Sequence, residues 1–564
     1  MDLAVEISNL SFTYSSRQEP TLKEISLTVP RGQFVLITGA TGCGKSTLLK
    51  TLNGLIPHQS SGKLSGQIRV MGLDTQEHSI PVLAQQVGLV FQSPDEQIFS
   101  TIVEDEIVFG PENLGIHPQE IEKRAVEALQ AVSMEKFRFA ETNALSGGQK
   151  QRVALAALKA MEPKILALDE PISQLDPQGA QEVLAILKHL KEKLGMTIIL
   201  VEHRIHEVAH LVDRVLIMEK GSLVLDQAVP QAFNQGEVFQ RYGLRLPETV
   251  EISHQLGIKP PCLQVEELAF SLKSRLSPRQ PFRPKEKISL QKPGKGTVVK
   301  IEDLVFAYQK GAEPTLKKLS LQIKEGERIA LMGNNGAGKS TLLKHLMGLL
   351  QPDQGKVEIL GQDSKKIDSF QLAGKVGMVF QNPDLMLFCD TVEKEIEFGL
   401  ENLGFSKGII AKRTKKVLKA MGIEELKADF PLALSRGQRL RVALAAVLAL
   451  EPELLILDEP TTGQDKAHME TMMDRLAAFT HQGGTLIFCT HDGEIALRYA
   501  ERIIVLHQGQ ILADGSPREV FAQEKILQQA NLKAPPSCLL TQKLNLPLAF
   551  SVEEVLEYVR VHSA

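Results

Sequence analysis

Short apolar runs along the chain alternate with longer segments in which apolar residues recur at helical spacing. The run GQFVLIT (32–38) predicts a buried strand, and the segment STLLKTLNGL (46–55) that follows it predicts a helix. Farther along, the run ILALDEP (165–171) predicts another buried strand, and the segment GGQKQRVALAALKAM (147–161) before it predicts a long helix. Apolar strands that alternate with helices are typical of an α/β fold.

The same segments occur a second time. VGLVFQSPDEQIF (87–99) returns as VGMVFQNPDLMLF (376–388), and ALSGGQKQRVALAAL (144–158) returns as ALSRGQRLRVALAAV (433–447). Corresponding residues of these segments are 289 positions apart. A chain of 564 residues is long enough for two to four domains, so the repeat indicates that one domain is used twice.

A glycine-rich segment joins the first predicted strand and helix of each copy. GATGCGKST (39–47) and GNNGAGKST (333–341) both fit the pattern G-x-x-x-x-G-K-[ST]. Such a loop points backbone N–H groups at phosphates, its lysine adds a positive charge, and its serine hydroxyl can ligate Mg²⁺. Each copy therefore predicts a nucleotide site. The predicted residues are Gly39, Ala40, Thr41, Gly42, Cys43, Gly44, Lys45, Ser46 and Thr47, and Gly333, Asn334, Asn335, Gly336, Ala337, Gly338, Lys339, Ser340 and Thr341.

An acidic pair ends one apolar strand of each copy. Asp169 and Glu170 follow ILAL, and Asp458 and Glu459 follow LLIL. In P-loop nucleotidases an aspartate at this place holds Mg²⁺, and a carboxylate beside it can orient or deprotonate the attacking water. Two carboxylates after a core strand are ordinarily surface groups. The phosphate loop in the same copy favours the catalytic interpretation.

Composition argues against several classes of protein. A net charge of −4 gives no electrostatic support for nucleic acid as a partner. No apolar run approaches the roughly 18 residues of a membrane span, and the first residues lack the pattern of a signal peptide. Five cysteines without a C-x-x-C pair argue against a zinc or iron–sulfur site and suit a reducing compartment. We expect a soluble intracellular protein.

The segment LSGGQ (145–149) lies between the phosphate loop and the acidic pair, and its serine predicts the N-cap of a helix. The order of these three motifs in each copy resembles the nucleotide-binding domain of ATP-binding cassette (ABC) proteins, over nearly the whole chain. The resemblance implies two P-loop domains, each with a small helical subdomain and a short C-terminal extension. The expected segments are a first domain at 1–242, its extension at 243–274, a linker rich in proline and basic residues at 275–297, a second domain at 298–523 and its extension at 524–564.

The resemblance also implies roles for further residues that match the family's motifs. As single residues, the two histidines would more often be polar groups at strand ends, but their order behind the acidic pairs favours a role. The implied residues are Tyr14 and Tyr308 against adenine; Ser146, Gly147, Gly148 and Gln149, and Ser435, Gly437 and Gln438 in the signature; Asp176 and Asp465 in the loop that crosses between domains; and Glu170, Glu459, His203 and His491 in catalysis. The implied Mg²⁺ ligands are Ser46, Gln92 and Asp169, and Ser340, Gln381 and Asp458.

Cassette ATPases clamp ATP between the phosphate loop of one domain and the signature of another. The resemblance therefore implies an intramolecular pseudo-dimer with two ATP sites, for which the linker supplies a high effective concentration. Arg436 replaces the first glycine of the second signature. If that glycine has left-handed backbone, an arginine costs about 1–2 kcal/mol there. We then expect the site built on Lys45 and Glu170 to be the slower one.

Three interpretations remain open of the process that the two cassettes drive by hydrolysing ATP. They are the motor of a membrane importer whose spans lie on other chains, a soluble twin-cassette ATPase that acts on ribosomes or nucleic acid, and a twin-cassette sugar-importer ATPase. The segments 91–115 and 380–404 resemble the ATPases of energy-coupling factor (ECF) importers of vitamins and transition-metal ions. This resemblance implies a transmembrane coupling subunit, a small substrate-binding membrane subunit and a peripheral location on the cytoplasmic side of the cell membrane. In that family the ATPase docks helices of the coupling subunit in a groove next to this segment. Met386 stands where the first copy has Gln97, so the equivalence of the two grooves is an open question.

Overall fold

The computed structural model describes residues 2–173, 175–273, 275–276, 296–367, 369–460 and 466–562. The chain divides into two compact units, Met1–Phe270 and Ser271–Ala564, each of which contains one copy of the repeat. Most of the expected linker at 275–297 and the candidate site residue Asp465 lie outside the described residues. The finer boundaries within each unit stay predictions.

The described part of the first unit contains two sheets and a set of helices. Its strands are β1 (Leu3–Tyr14), β2 (Leu22–Pro30), β3 (Phe34–Gly39), β4 (Gly62–Val70), β5 (Leu73–Asp74), β6 (Val87–Val90), β7 (Ile165–Asp169), β8 (Thr197–Val201), β9 (Arg214–Glu219) and β10 (Ser222–Ala228). Its helices are α1 (Lys45–Leu52), α2 (Leu55–His58), α3 (Ile80–Ala84), α4 (Val103–Asn113), α5 (Pro118–Ala131), α6 (Gly147–Ala160), α7 (Pro177–Leu194), α8 (Ile205–Val208), α9 (Val229–Asn234), α10 (Gly236–Arg241), α11 (Glu248–Gln255) and α12 (Val265–Lys273).

The larger sheet has the strand order β10-β9-β3-β8-β7-β6, with parallel pairing except between β9 and β10. The smaller sheet, β2-β1-β4-β5, is antiparallel. Strand β3 is buried along its whole length, as expected of a central parallel strand that is covered on both faces. Phe34 and Leu36 pack into one hydrophobic core with the helices, and Val35 and Ile37 pack into another with the smaller sheet.

The second unit repeats this topology. Its larger sheet has the order β16-β17-β18-β13-β19-β20 and its smaller sheet the order β12-β11-β14-β15. Its strands are β11 (Thr297–Phe306), β12 (Leu316–Lys324), β13 (Arg328–Met332), β14 (Gln354–Ile359), β15 (Gln362–Asp363), β16 (Val376–Val379), β17 (Leu454–Leu457), β18 (Thr485–Cys489), β19 (Arg502–His507) and β20 (Gln510–Gly515). Its helices are α13 (Lys339–Leu346), α14 (Ser369–Leu372), α15 (Val392–Asn402), α16 (Lys407–Met421), α17 (Arg436–Ala449), α18 (Lys466–His481), α19 (Gly493–Tyr499), α20 (Pro517–Phe521), α21 (Glu524–Gln529), α22 (Pro536–Lys543) and α23 (Val552–His562).

The predicted α/β class is confirmed in both units. The strand predicted at 32–38 is β3, and the helix predicted at 46–55 is α1, which ends earlier because the chain turns at Asn53 and Gly54. Among the described residues, no helix is both long enough and apolar enough to cross a membrane. Because β3, β7 and β8 are parallel, their carboxyl ends lie at one edge of the sheet, where ligand sites of such folds form.

Candidate ATP-binding and hydrolysis sites

The glycine-rich loop of the first unit turns from the end of β3 into α1. Gly39 and Gly44 have φ values of 152° and 106°, which side chains disfavour. A Cβ at Gly39 would lie 2.2 Å from the Met218 carbonyl oxygen, and one at Gly44 would lie 2.8 Å from the Thr21 carbonyl oxygen. A larger residue at either position would therefore have a strained backbone and would clash with a neighbouring carbonyl oxygen.

The loop lysine is folded against the loop itself. Lys45 Nζ donates to the Gly39 carbonyl oxygen at 2.8 Å and to the Ala40 carbonyl oxygen at 3.0 Å. Lys339 makes the corresponding two bonds at 2.6 and 3.0 Å. Both lysines are buried, so each ammonium group is held inside its loop at a defined place. A fixed positive charge inside a glycine-rich loop of this kind suits a polyphosphate.

In the first unit, Glu170 lies at the edge of the larger sheet where the parallel strands end, directly after β7. Gln92 Nε2 donates to Glu170 Oε2 at 2.7 Å, and His203 Nε2 lies 3.1 Å from Glu170 Oε1 without the alignment of a hydrogen bond. The Glu170 N–H donates to the Val201 carbonyl oxygen at 2.9 Å, which fixes the residue between β7 and β8. The structure thus brings together three of the residues predicted to act in hydrolysis.

The second unit brings together the equivalent three residues with longer contacts. Gln381 Nε2 donates to Glu459 Oε2 at 3.2 Å, and His491 Nδ1 lies 3.6 Å from Glu459 Oε1. Glu170 and Glu459 both have a φ of 48°. A non-glycine residue in left-handed backbone costs on the order of 1–3 kcal/mol, and such residues concentrate at functional sites. No sequence pattern indicated this conformation.

The aspartate before each glutamate lies beside the loop serine, with Asp169 buried and Asp458 half-buried. Burial raises the pKa of Asp169 to about 6, an effect that the Ser46 hydroxyl opposes by its hydrogen bond and the Glu170 charge reinforces. Burial also raises the pKa of Asp458, whose Oδ2 accepts a hydrogen bond from Ser340 Oγ at 3.4 Å. Carboxylate and hydroxyl oxygens are ligands that Mg²⁺ prefers, so these residues fit that ion.

Two tyrosines lie against the helices that follow the loops. The Tyr14 hydroxyl is 3.2 Å from Thr47 Oγ1, and the Tyr308 hydroxyl is 3.2 Å from Thr341 Oγ1. The Tyr308 side chain is exposed, so its ring is accessible to a planar ligand. Asp176 caps α7, where its Oδ1 accepts from the Gly179 N–H at 2.8 Å.

Each signature segment begins a helix with a capping box. Ser146 caps α6, where its Oγ accepts from the Gln149 N–H at 3.4 Å and Gln149 Oε1 accepts from the Ser146 N–H at 2.8 Å. Ser435 and Gln438 make the same pair of bonds at the start of α17. The side chains of both glutamines are therefore used to start their own helices.

The expectation that Arg436 is strained is wrong. Arg436 is the first residue of α17 and is absent from the residues with positive φ in the described parts of the chain. Gly147, its counterpart in α6, also has ordinary helical backbone, and a Cβ there would meet no atom within 4 Å. An arginine fits this position at no backbone cost, so backbone strain gives no reason for one site to be slower. The inequality of the two sites stays a prediction.

Sequence reasoning missed Glu202, which lies between β8 and His203. Its side chain is fully buried, and its pKa is raised to about 8 by burial first and by the Glu170 charge next. The segment VEHR (201–204) differs from CTHD (489–492) at this position, where the second unit has Thr490. A carboxyl group directly after a buried strand was the signal that could have revealed it.

The fold, the loop and the edge carboxylates together define a phosphate-binding ATPase core, present twice. The family model that matches is described as ABC transporter, and it covers residues 22–173 and 316–462. The chain belongs to this family: it is an ATP-binding ABC transporter protein with two ATPase domains in one polypeptide.

Relatives at full length support the same assignment. A protein of Methanosarcina mazei, named provisionally as an ABC transporter ATP-binding protein, is 49% identical over 98% of this chain and 96% of its own length. A similarly named protein of Caldanaerobacter subterraneus is 35% identical over 98% of both chains. The solved structure of cbiO1 from Clostridium perfringens, titled as part of the ABC transporter complex cbiONQ, is 37% identical over 42% of this chain and 96% of its own, with a TM-score of 0.38. A dimeric ATP-binding cassette with bound ADP and Pi is 32% identical over 39% of this chain and 98% of its own, with a TM-score of 0.36.

Proposed function

We propose that this ATPase is the energy-coupling component of an ECF-type importer for vitamins or transition-metal ions. It would act on the cytoplasmic side of the cell membrane with a transmembrane coupling subunit and a small substrate-binding membrane subunit, and without nucleic acid. The proposal also includes a pseudo-dimer of the two cassettes with two ATP sites, and this part is supported by the family resemblance alone. The observation that supports a membrane partner is an exposed aromatic pair in each unit, within the segment that resembles the ECF ATPases.

The aromatic pair of the first unit consists of Phe99 and Phe109. Their ring centroids are 4.5 Å apart in an edge-to-face arrangement, and the side chains are 63% and 47% exposed. Phe388 and Phe398 form the equivalent pair, with centroids 4.8 Å apart and exposures of 61% and 45%. Large aromatic side chains that protrude together on a surface are typical of protein interfaces.

A buried carboxylate holds each aromatic pair in place. Glu106 Oε2 accepts from the N–H groups of Phe99 at 3.2 Å and Ser100 at 2.9 Å. Glu395 makes the equivalent bonds in the second unit, at 2.9 and 2.8 Å. The exposed rings therefore sit on rigid backbone, which lowers the entropy cost of binding a partner there.

An ion pair connects this region to the signature helix. Lys150 Nζ of α6 lies 2.5 Å from Asp95 Oδ1, which follows the Gln92 segment. In the second unit Arg439 Nε of α17 lies 2.8 Å from Asp384 Oδ1. In the proposed importer, a partner docked at the aromatic pair would act on the signature helix through this ion pair.

The proposed chemistry at each site follows from the groups at the strand edge. In the first unit Lys45 would balance phosphate charge, and Ser46, Gln92 and Asp169 would hold Mg²⁺, which neutralises charge on the phosphates when bound. Glu170 would orient or deprotonate the attacking water. The equivalent roles in the second unit fall to Lys339, Ser340, Gln381, Asp458 and Glu459, with His203 and His491 at the γ-phosphate in their respective units.

The test is purification of the tagged full chain from solubilised membranes. We expect a small membrane protein and a second, transmembrane subunit to copurify. The variant with both Phe109→Asp and Phe398→Asp should lose these partners, since a charge replaces an aromatic ring at the proposed contact, and should still bind ATP. The control is Leu194→Asp, which places the same charge on another exposed apolar residue, 53% exposed at the end of α7.

The alternatives make different predictions in the same experiment. Copurified ribosomes, with or without the aromatic substitutions, would refute the importer. Two large transmembrane subunits without a small third one would favour the sugar-importer interpretation. Equal recovery of the partners with the aromatic variant and with wild type would show that the aromatic pairs are not the docking surface.

A further inference from the structure

A buried carboxyl group that the proposed hydrolysis does not use lies beside the first site. Glu202 directly follows β8, and its N–H donates to the Ile37 carbonyl oxygen of β3 at 3.2 Å. Its side chain is fully buried. One carboxyl oxygen, Oε2, accepts from the His203 N–H at 3.0 Å. The other, Oε1, has no hydrogen-bond partner among the residues that the structure describes.

A buried carboxylate with an unpartnered oxygen is costly, whereas a protonated one is far less so. The charged groups that face Glu202 are Glu170 at the end of β7 and, on its own segment, Arg204 and Glu207. The Arg204 guanidinium donates to Glu207 and, at 2.8 Å, to the Ile172 carbonyl oxygen. Burial and the Glu170 charge raise the pKa of Glu202 to about 8, and phosphate charge near the glutamate would act in the same direction.

We propose that Glu202 is a positioning residue that carries a proton while the first site hydrolyses ATP, and that its ionisation slows this site. The proposal rests on the roles proposed above for Glu170 and His203. In the protonated form, Oε2 holds the backbone of the catalytic histidine and no second negative charge opposes Glu170. In the ionised form, a buried negative charge lies against the backbone of the histidine and within electrostatic range of Glu170. That charge disfavours both the ionised glutamate and the binding of a phosphate beside it.

The second unit offers a matched control at the same position. Thr490 is buried there, and its Oγ1 accepts from the Asp492 N–H at 3.0 Å. A threonine hydroxyl does not titrate in the working range of pH. We therefore expect a fall of activity at alkaline pH that belongs to the first site and is missing from the second.

The test compares pH profiles of ATP hydrolysis in full-length protein with one site inactivated. With Glu459→Gln, the first site should lose turnover about tenfold for each pH unit above the ionisation, as for any group active only when protonated. Glu202→Gln in that background should remove the fall and keep turnover at neutral pH within about twofold. With Glu170→Gln, the second site should show no such fall, and Thr490→Glu should introduce one. An unchanged alkaline fall in the Glu202→Gln variant would overturn the proposal.

A spectroscopic readout separates this proposal from the assigned catalytic roles. In infrared spectra of the full chain, recorded as the difference between neutral and alkaline pH, a buried carboxyl group that is protonated at neutral pH gives a C=O stretching band. We expect such a band to be present with and without ATP and Mg²⁺, to disappear above the ionisation, and to be missing from Glu202→Gln. A missing band in wild-type protein at neutral pH would refute a protonated Glu202. If Glu170→Gln leaves hydrolysis at the first site intact, the proposed catalytic role of Glu170 is refuted. The infrared band still shows independently whether Glu202 is protonated.

Discussion

The two cassettes hold their phosphate loops in the same way but differ in the surroundings of Glu170 and Glu459, the two glutamates that we propose to be catalytic. Both loop lysines donate to the same two carbonyl positions at nearly equal distances. The glutamine and histidine contacts of Glu170 are 2.7 and 3.1 Å, whereas those of Glu459 are 3.2 and 3.6 Å. Besides the aspartate that precedes it, Glu170 has a second buried carboxyl neighbour, Glu202, whereas Thr490 occupies the equivalent position of the second unit. Phosphate binding and the electrostatic surroundings of the glutamate are therefore separable features of this fold.

The two proposed docking regions differ as well. In the docking region of the first unit, Gln97 makes two hydrogen bonds to the backbone. Its Oε1 accepts from the Phe91 N–H at 3.2 Å, and its Nε2 donates to the Leu89 carbonyl oxygen at 3.3 Å. In the second, Met386 offers only a sulfur acceptor, 3.4 Å from the Phe380 nitrogen. Leu385 next to it is 76% exposed. The second docking region is thus more apolar and less tightly braced.

The largest effect should come from removing the catalytic glutamates one at a time. Glu170→Gln and Glu459→Gln keep the shape of the side chain but remove the base, so each should reduce hydrolysis at its own site by about 10²–10⁴-fold. Single-turnover hydrolysis of ATP by the full chain, with two equivalents bound, measures this as two separable phases. If either variant keeps both phases, the corresponding glutamate is not the base. If the phase that remains in Glu170→Gln and the phase that remains in Glu459→Gln have equal rates, the different surroundings of the two glutamates do not affect the rate of hydrolysis.

A smaller effect is expected on ATP binding when a loop lysine is removed. Lys45→Ala and Lys339→Ala each delete a charged donor, which is worth about 1.5–3 kcal/mol, or roughly 10–100-fold in affinity at one site. Titration calorimetry should show one tight and one weak equivalent for each variant. The control is Lys50→Ala in the last turn of α1, which should keep two tight equivalents. Two tight equivalents for Lys45→Ala would contradict the assignment of the loop.

The sequence allowed the fold class and the phosphate loops to be predicted, because both depend on local patterns. Apolar runs mark buried strands, and the glycine spacing of the loop reflects backbone that only glycine adopts. The left-handed backbone of Glu170 was not predictable, since no local pattern places a glutamate there. Nor was the burial of Glu202, which depends on how β3, β7 and β8 pack. Arg436 was misjudged because a glycine was assumed to need special backbone, whereas the position is ordinary helix.

A stability measurement sharpens the contrast between Glu202 and Thr490. The folded-state pKa of Glu202 is raised to about 8 from an ordinary value of 4.5, so folding favours the protonated form. The first cassette therefore loses stability as pH rises from about 4.5 to about 8, by about 1.4 kcal/mol for each unit of difference in pKa.

Glu202→Gln removes this loss. We expect the variant to melt at least about 2–4 °C above wild type at alkaline pH, and close to wild type near pH 4, where both side chains are neutral. Scanning calorimetry at the two pH values measures the difference. The same shift at both pH values would assign the gain to packing and not to the charge.

The smallest effect should come from Arg436→Gly, which tests whether the two signatures are equivalent. Arg436 begins α17 with ordinary backbone, so a glycine relieves no strain there. A glycine within a helix costs roughly 0.5–1 kcal/mol, and less at the first position, so the cassette should lose little stability. In the Glu459→Gln background, turnover should change by less than about twofold, equivalent to about 0.4 kcal/mol on the barrier. Gly147→Arg is the reciprocal variant, and it should be tolerated because a Cβ at Gly147 meets no atom within 4 Å. A tenfold gain from Arg436→Gly would show that the charge of the arginine, and not its backbone, limits the first site.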